Sequence, residues 1–390
     1  MSYAQTHATA ISIIGIGTAV PVNLLQQNEV FNRIEEALQD YPDSIRWAKR
    51  IFKQCGVETR YTCEPNLLEK AGDCRYLPSA NLQDVPSTSE RMEIYKRESI
   101  PIALQAAREA LQDAHTDPTE ITHIITVSCT GQFLPGLDAI LVHHLGLSPR
   151  VNRIPLTFQG CAAGLKAIQL AKQLAESTNS SNILVVCVEL CTLHFQPSSS
   201  RESLFASSFF GDGASACIIG MSDSSKTYDN GVFRLGEGHS ILLPDCADEM
   251  IWEVGDTGFD LYLSPNIPKL LTKFLPEEVN LLLRERKVPE LWAIHPGGRG
   301  IVDAVQKLYN LTDEQTMYSR NILRSFGNVS SATILFVMQQ MRQDLVERKL
   351  SSAEGIALAF GPGLTSELMK FTFMPSTSPQ EAELQHVHHS

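Results

Sequence analysis

The chain is 390 residues long, 43% apolar and 19% charged, a balance that can bury a large core, and at about 150 residues per domain it holds two or three units. A net charge of −12, from 32 basic and 44 acidic residues, argues against the broad basic face of a nucleic-acid binder. No run of about 18 apolar residues exists to span a membrane, and MSYAQTHATA at the N-terminus has neither region of a secretory signal, so a cytoplasmic protein is expected.

In chain order, ISIIGIGTAVP reads as a first strand ended by Gly17 and Pro21, followed by a helical stretch over 28–55 and a polar section from Cys63 to Ser89. Helical spacing of apolar residues returns from Ile100 to Asp113. ITHIITVSCT is continuous and β-branched, as a strand covered on both faces should be. CAAGLKAIQLAKQLAES is a helix, and SNILVVCVEL and ASACIIG are two more buried strands. LWAIHPGG runs from strand into turn, SFGNVSSATILFVMQQMRQDLVER from turn into helix, and GIALAFGPG is a further strand. Alternating strands and helices predict parallel sheets in an α/β fold.

QGCAAGLKAI and FGNVSSATIL each place a polar or reactive residue just after glycine, at the start of an apolar helix. A duplicated α/β unit brings two such helix starts together on a central pseudo-twofold axis; chance likeness of two βα units is the alternative. The polar tail over 375–390 is expected to be disordered. Its histidines lack partner ligands, none of the nine cysteines forms a C-x-x-C pair, and no metal site is expected.

Three residues carry candidate chemistry. Cys161 stands behind Gly160 at a helix N-terminus, where unpaired N–H groups and the helix dipole lower a thiol pKa; the alternative is a buried cysteine in a tight turn. His295 projects from a strand end into the Pro296–Gly298 turn, where α/β sites are built, or is structural. Asn328 either caps its helix or donates to an oxyanion. Together they are a nucleophile that can hold an acyl group and two donors for a thioester carbonyl.

QGCAAG, WAIHPGG, SFGNVSSA, FFGDGASA and AFGPGLT, in order over Ile11 to Phe373, resemble the motifs of chalcone and stilbene synthases and their bacterial relatives, the type III polyketide synthases. The resemblance implies a homodimeric thiolase fold: duplicated βαβαβ halves in five α-β-α-β-α layers, residues 1–225 carrying the nucleophile and 226–374 the histidine and asparagine. It implies that Cys161, His295 and Asn328 catalyse iterative decarboxylative condensation of malonyl-CoA onto an acyl-CoA starter, followed by cyclisation to a pyrone or phenol. CoA thioesters are then the substrates, with no further cofactor. Phe210 and Phe259 match the two gatekeeper phenylalanines, and Cys129, Thr130, Leu134, His194, Met250 and Ser330 match cavity positions, with His194 read as a wall and Leu134 as reaching the partner subunit. Gly361, Pro362 and Gly363 match the cyclisation loop, whose first glycine is Ala359 here. Arg50 and Lys53, in a basic stretch that also holds Arg46, Lys49 and Arg60, match CoA-phosphate positions, and Gly297, Gly298 and Gly300 the CoA-binding turn. Cysteine, histidine and thioether lining points to fatty acyl starters and alkylpyrone or alkylresorcinol products. The rival readings are a ketoacyl synthase III-like enzyme, which would read HQAN in place of HPGG, a papain-like cysteine hydrolase, and a non-catalytic homologue.

Overall fold

Two apolar helices, each behind a tight turn, pack together in the middle of the molecule, and the rest of the chain is layered around them. The computed structural model describes residues 10–78, 84–177, 181–222, 228–284 and 288–376; of the tail expected to be disordered, 377–390 lies outside these.

The chain opens with β1 (Ala10–Ala19), β2 (Asn23–Gln26), α1 (Gln27–Ala37), α2 (Pro42–Gln54) and β3 (Thr59–Thr62). The single helix predicted over 28–55 is two, because Pro42 fits the first turn of a helix but not its interior. α3 (Thr88–Asp113) begins well before the predicted Ile100. Ser87 and Glu90 close a capping box there, each side chain bonding the other's backbone N–H, and Pro101 is carried within the helix. β4 (Ile121–Ser128), α4 (Leu137–Leu145) and β5 (Asn152–Thr157) follow. A 3-10 turn over Gly160–Ala162 then leads into α5 (Ala163–Ser177), and β6 (Asn182–Leu190), α6 (Arg201–Phe209) and β7 (Asp212–Ser222) complete this stretch.

The remainder comprises β8 (Val232–Leu242), β9 (Met250–Gly255), β10 (Gly258–Leu263), α7 (Ile267–Leu283), β11 (Leu291–Ile294), α8 (Arg299–Tyr309) and α9 (Asp313–Phe326). A second 3-10 turn, Ser330–Ala332, leads into α10 (Thr333–Glu347), and β12 (Ala353–Gly361) and β13 (Thr365–Met374) end the fold.

Nine strands run in the order β11-β12-β13-β8-β1-β7-β6-β4-β5. Read outward from the β8/β1 seam, the two sides match over four strands each, with β5 added at one edge. β8 and β1 each pair antiparallel with β13 and β7, those pair antiparallel with β12 and β6, and these pair in parallel with β11 and β4. The sheet is therefore mixed rather than parallel, because β12 returns into β13 through the short Pro362–Leu364 turn, a connection that permits only an antiparallel partner. The seam itself is slight: Ser12 opposite Arg234 and Ile13 opposite Phe233.

Strand alternation assigns the layers. Ile183, Val185 and Cys187 of β6 join the core around α5 and α10, while Leu184, Val186 and Val188 face α3 and α4. On the other side, Ala357 and Ala359 of β12 face α5 and α10, and Ile356, Leu358 and Phe360 face α7 and α8. The result is α3/α4, sheet, α5/α10, sheet, α7/α8: five layers. α5 and the second 3-10 turn meet so closely that a Cβ on Gly164 would lie 2.1 Å from Ser331 O. Cutting a fully buried central side chain such as Leu335 to alanine should cost about 2–5 kcal/mol.

Candidate active site

The turn before α5 holds Cys161 in place. Gly160 has φ +61°, and a Cβ there would stand 2.1 Å from Pro362 Cδ, so only glycine fits. Its N–H donates to Cys129 Sγ at 2.9 Å. Cys161 is half-buried, with Sγ 3.8 Å from Asn328 Nδ2 and 3.9 Å from Oδ1. Burial pushes its thiol up to about 11, against hydrogen bonds from Ser330 and Asn328 that pull the other way. The expected lowering at a helix N-terminus is overturned, because loss of water around the sulfur outweighs the nearby N–H groups.

Asn328 precedes the second turn. Its Oδ1 accepts from the Ser330 N–H at 2.8 Å, which orients the amide and leaves Nδ2 facing Cys161 and, at 3.4 Å, Gly297 O. The side chain thus closes the turn and also presents a donor. His295 sits just past β11, where its N–H donates to Leu358 O at 2.8 Å and continues the sheet ladder. It is fully buried, and neither ring nitrogen has a hydrogen-bond partner among the described residues. Burial pushes the imidazole down to about 3, so it is neutral, with one N–H and one free lone pair. An unpaired buried polar group costs about 1–3 kcal/mol.

Cys161, His295 and Asn328 line one cavity of about 270 Å³. Cys129, Thr130, Phe210, Met250, Ser330 and Pro362 line it too, as do Gly297, Gly298 and Gly300. Gly361 and Gly363 flank Pro362 without lining the cavity. Leu134 stands 92% exposed on the surface of the single chain. Arg50 and Lys53 are exposed on α2, whose Ile51 and Gln54 line the cavity together with Cys55 just past its end. Arg60 leaves the basic set: it is fully buried, pushed down to about 10, and donates to Phe210 O at 3.1 Å.

His194 and Phe259 line not this cavity but a second one beside it, of about 170 Å³. His194 Nε2–H donates to Thr130 O at 2.6 Å, Nδ1 accepts from the Phe259 N–H at 3.0 Å, and the two rings stack at 4.1 Å. With both nitrogens used, His194 braces the wall. Behind the site, fully buried Glu189 accepts from Thr130 Oγ1 at 2.7 Å, from Cys129 N–H at 3.0 Å and from Ser331 Oγ. Burial pushes its carboxyl up to about 7 against those bonds.

Sequence reasoning missed the β9–β10 hairpin. Trp252 pairs with Leu261 and Met250 with Leu263, and all four line the cavity. The signal was the alternation Met250-x-Trp252 and Phe259-x-Leu261-x-Leu263 around Gly255 and Gly258, hidden by its brevity.

The mirrored halves with α5 and α10 between their sheets are the thiolase fold of condensing enzymes. The chain belongs to the chalcone and stilbene synthase family and is a type III polyketide synthase, an acyltransferase-class enzyme: the family's N-terminal domain matches residues 1–223 and its C-terminal domain 235–375. It is similar to the C-terminal type III polyketide synthase domain of "Steely1", a type I/III hybrid from Dictyostelium, with 28% identity, TM-score 0.84, and 94% of this chain and 99% of that one covered. The fold is also that of PKS-I from the brown alga Ectocarpus siliculosus, at 24% identity and TM-score 0.85 over 95% of this chain and 100% of that one. Among the described residues no helix is long and apolar enough to cross a membrane.

Proposed function

We propose that Cys161, His295 and Asn328 carry the condensation. The observation behind this reading is their convergence on one cavity, with Asn328 Nδ2 turned to Cys161 Sγ. His295 takes the Cys161 proton as the sulfur attacks an acyl-CoA, forming the enzyme thioester and releasing CoA. Malonyl-CoA follows, its thioester carbonyl accepting from the His295 N–H and Asn328 Nδ2. Loss of carbon dioxide leaves an enolate whose oxyanion those donors hold. The enolate carbon attacks the acyl-enzyme, expelling the Cys161 thiolate, which takes back the lengthened chain for another round. The residues present handle this chemistry without a metal or a further cofactor, as the family generally does with malonyl- and acyl-CoA substrates.

Several further assignments belong to this reading. Residues 1–225 form the half that supplies the nucleophile and 226–374 the half that supplies the donors. Arg50 and Lys53, exposed beside the cavity lining of α2, receive the CoA phosphates. The enzyme is a cytoplasmic homodimer, with Leu134 meeting the partner. Light scattering should then report twice the 43.1 kDa chain mass, and an active monomer would contradict it.

The starter is a medium or long fatty acyl-CoA, extended to tri- or tetraketide alkylpyrones or to resorcinols in the manner of bacterial-type members. Met250, Leu261 and Leu263 give the cavity a flexible apolar wall suited to a bending chain. The test is a starter panel from acetyl- to palmitoyl-CoA with coumaroyl- and benzoyl-CoA alongside, products identified by mass spectrometry. kcat/KM should climb with acyl length and then fall. Aromatic starters ahead by about tenfold or more in kcat/KM, or malonyl-CoA alone giving the main product, overturn the starter assignment.

A further inference from the structure

Of the nine cysteines, Cys55 and Cys161 are the two that are not buried, and both line the catalytic cavity. Cys55 follows α2, the helix that exposes Arg50 and Lys53. Its thiol donates to Phe52 O at 3.2 Å, and its sulfur accepts from Gln27 Nε2–H at 3.1 Å. Two buried polar side chains with unused atoms stand behind it. Gln27 is 7% exposed and gives Nε2 to Ser208 O as well, at 2.6 Å, while its Oε1 has no hydrogen-bond partner among the described residues. Arg60 is fully buried and spends Nη1 on Phe210 O, which leaves Nε and Nη2 equally unpaired. Burial pushes this guanidinium down to about 10, and the charges that oppose the shift are Cys55 first and then Asp212. An unused acceptor and two unused cationic donors thus gather around one accessible sulfur, although buried polar atoms ordinarily have partners.

From this geometry we infer that Cys55 is a peroxide-sensitive thiol, whose sulfenic acid is held by Arg60 and Gln27 and captures the thiol of CoA. In the first step the Cys55 sulfur attacks one oxygen of hydrogen peroxide. The O–O bond breaks, an S–O bond forms, the sulfur is oxidised by two electrons, and water leaves with the thiol proton. The new oxygen accepts from the free Arg60 N–H groups and gives its hydrogen to Gln27 Oε1. In the second step the CoA sulfur attacks the sulfenic sulfur, forms the S–S bond and expels hydroxide, which leaves as water with the proton of the CoA thiol. CoA is the thiol at hand, because each acyl transfer to Cys161 releases one into this cavity; the step rests on the proposed use of CoA thioesters. The mixed disulfide leaves CoA lodged in the cavity and halts loading of Cys161 until another thiol reduces it. Cys129 and Cys191 line the same cavity, but they are buried, and burial pushes both thiols well up, which keeps them out of the reaction.

The test uses the full chain carrying Cys161→Ala, so that the nucleophile cannot compete, treated with hydrogen peroxide and either dimedone or CoA. Peptide mapping should find dimedone on Cys55 in the first arm. In the second it should find one CoA on Cys55, released by dithiothreitol. Arg60→Lys in the same background keeps a charge but loses the guanidinium fork, and should slow dimedone labelling by about tenfold, the loss of one hydrogen bond to a charged group. Gln27→Leu leaves Arg60 in place and should slow it too, which keeps the test open if Arg60→Lys does not fold. Labelling of another cysteine ahead of Cys55, or an unchanged rate in folded Gln27→Leu, would overturn the inference. In the wild type, CoA should also shield Cys161 from iodoacetamide. Shielding without a CoA adduct on Cys55 overturns the capture alone, whereas neither shielding nor adduct overturns the CoA reading with it.

Discussion

Phe210 and Asn328 are joined by a short parallel bridge: the Asn328 N–H donates to Phe209 O at 2.8 Å, and the Gly211 N–H donates to Asn328 O at 3.1 Å. The ring that lines the cavity and the amide that faces Cys161 are therefore fixed on adjoining backbone, one from each half of the molecule.

Asn328→Ala removes the amide, and with it the bond from the Ser330 N–H, but not this bridge, so the backbone at the site stays anchored. It should still load a starter on Cys161, while malonyl-CoA decarboxylation and extension slow by about 100- to 1,000-fold. Acyl loading followed by intact mass, beside carbon dioxide release, separates the two steps. Lost loading with decarboxylation intact would reverse the assignment.

His295 and Cys161 are each held neutral by burial, the imidazole pushed down to about 3 and the thiol up to about 11. A reactive thiolate at neutral pH then requires the two to share the proton, each charge compensating the burial of the other. His295→Ala should alkylate slowly at pH 7, its rate rising roughly tenfold per pH unit toward the thiol's own value. The wild type should exceed it by roughly a hundredfold at pH 7 and show a flatter profile, a gap of about two pKa units. Cys161→Ala should lose acyl loading and product together. Identical profiles for His295→Ala and wild type would remove the histidine from nucleophile activation.

Gly160→Ala would drive a methyl into Pro362 Cδ and strain a residue at φ +61°. Both ends of that contact belong to the site. The variant should lose activity by far more than its melting temperature suggests, with strain of about 1–3 kcal/mol falling on the Cys161 turn. Activity and thermal unfolding measured on one preparation decide this, and full activity would show that the turn can yield.

Glu189 gives the stability a pH signature. Its carboxyl is pushed from 4.5 to about 7, so the folded state holds the proton more tightly than the unfolded one. That contribution is complete below about 4.5 and is lost as pH rises through about 7. Glu189→Gln cannot ionise. Relative to wild type it should therefore gain stability as pH rises from about 4.5 to about 7 and hold that gain above it, by on the order of 3 kcal/mol at most. A difference in melting temperature that stays constant over this range would show that Glu189 does not titrate there.

Much of this was legible in the residues. Cys161, His295 and Asn328 each lie beside glycine or proline, because the backbone must turn sharply to bring a side chain out of a buried element, and such turns are visible in sequence. Arg60 looked like one more surface cation, since burial of a guanidinium against Phe195 and Phe210 O is a tertiary fact with no local mark. The thiol of Cys161 was misjudged for the same reason: a helix start can be read from sequence, the loss of water around it cannot. His194 reads the same whether it faces the catalytic cavity or the next one, and only its bonds to Thr130 and Phe259 decide. Strand direction failed where strand identity succeeded, because an apolar run such as β7 looks alike in either orientation.

The mirrored sheet divides the labour within the site. Cys161 lies within the short turn that leads into α5, and Asn328 lies two residues before the short turn that leads into α10, so the start of one central helix supplies a nucleophile and the start of the other a donor. Further parts of the cavity come from the two segments that interrupt the repeat at equivalent points. β2 through β3 lies between β1 and α3, and the β9–β10 hairpin lies between β8 and α7. The first brings α2 to the cavity and the second brings Trp252. The nucleophile and its donor thus stand on the repeat, while the insertions add wall to the cavity around them, so wall and machinery can vary separately.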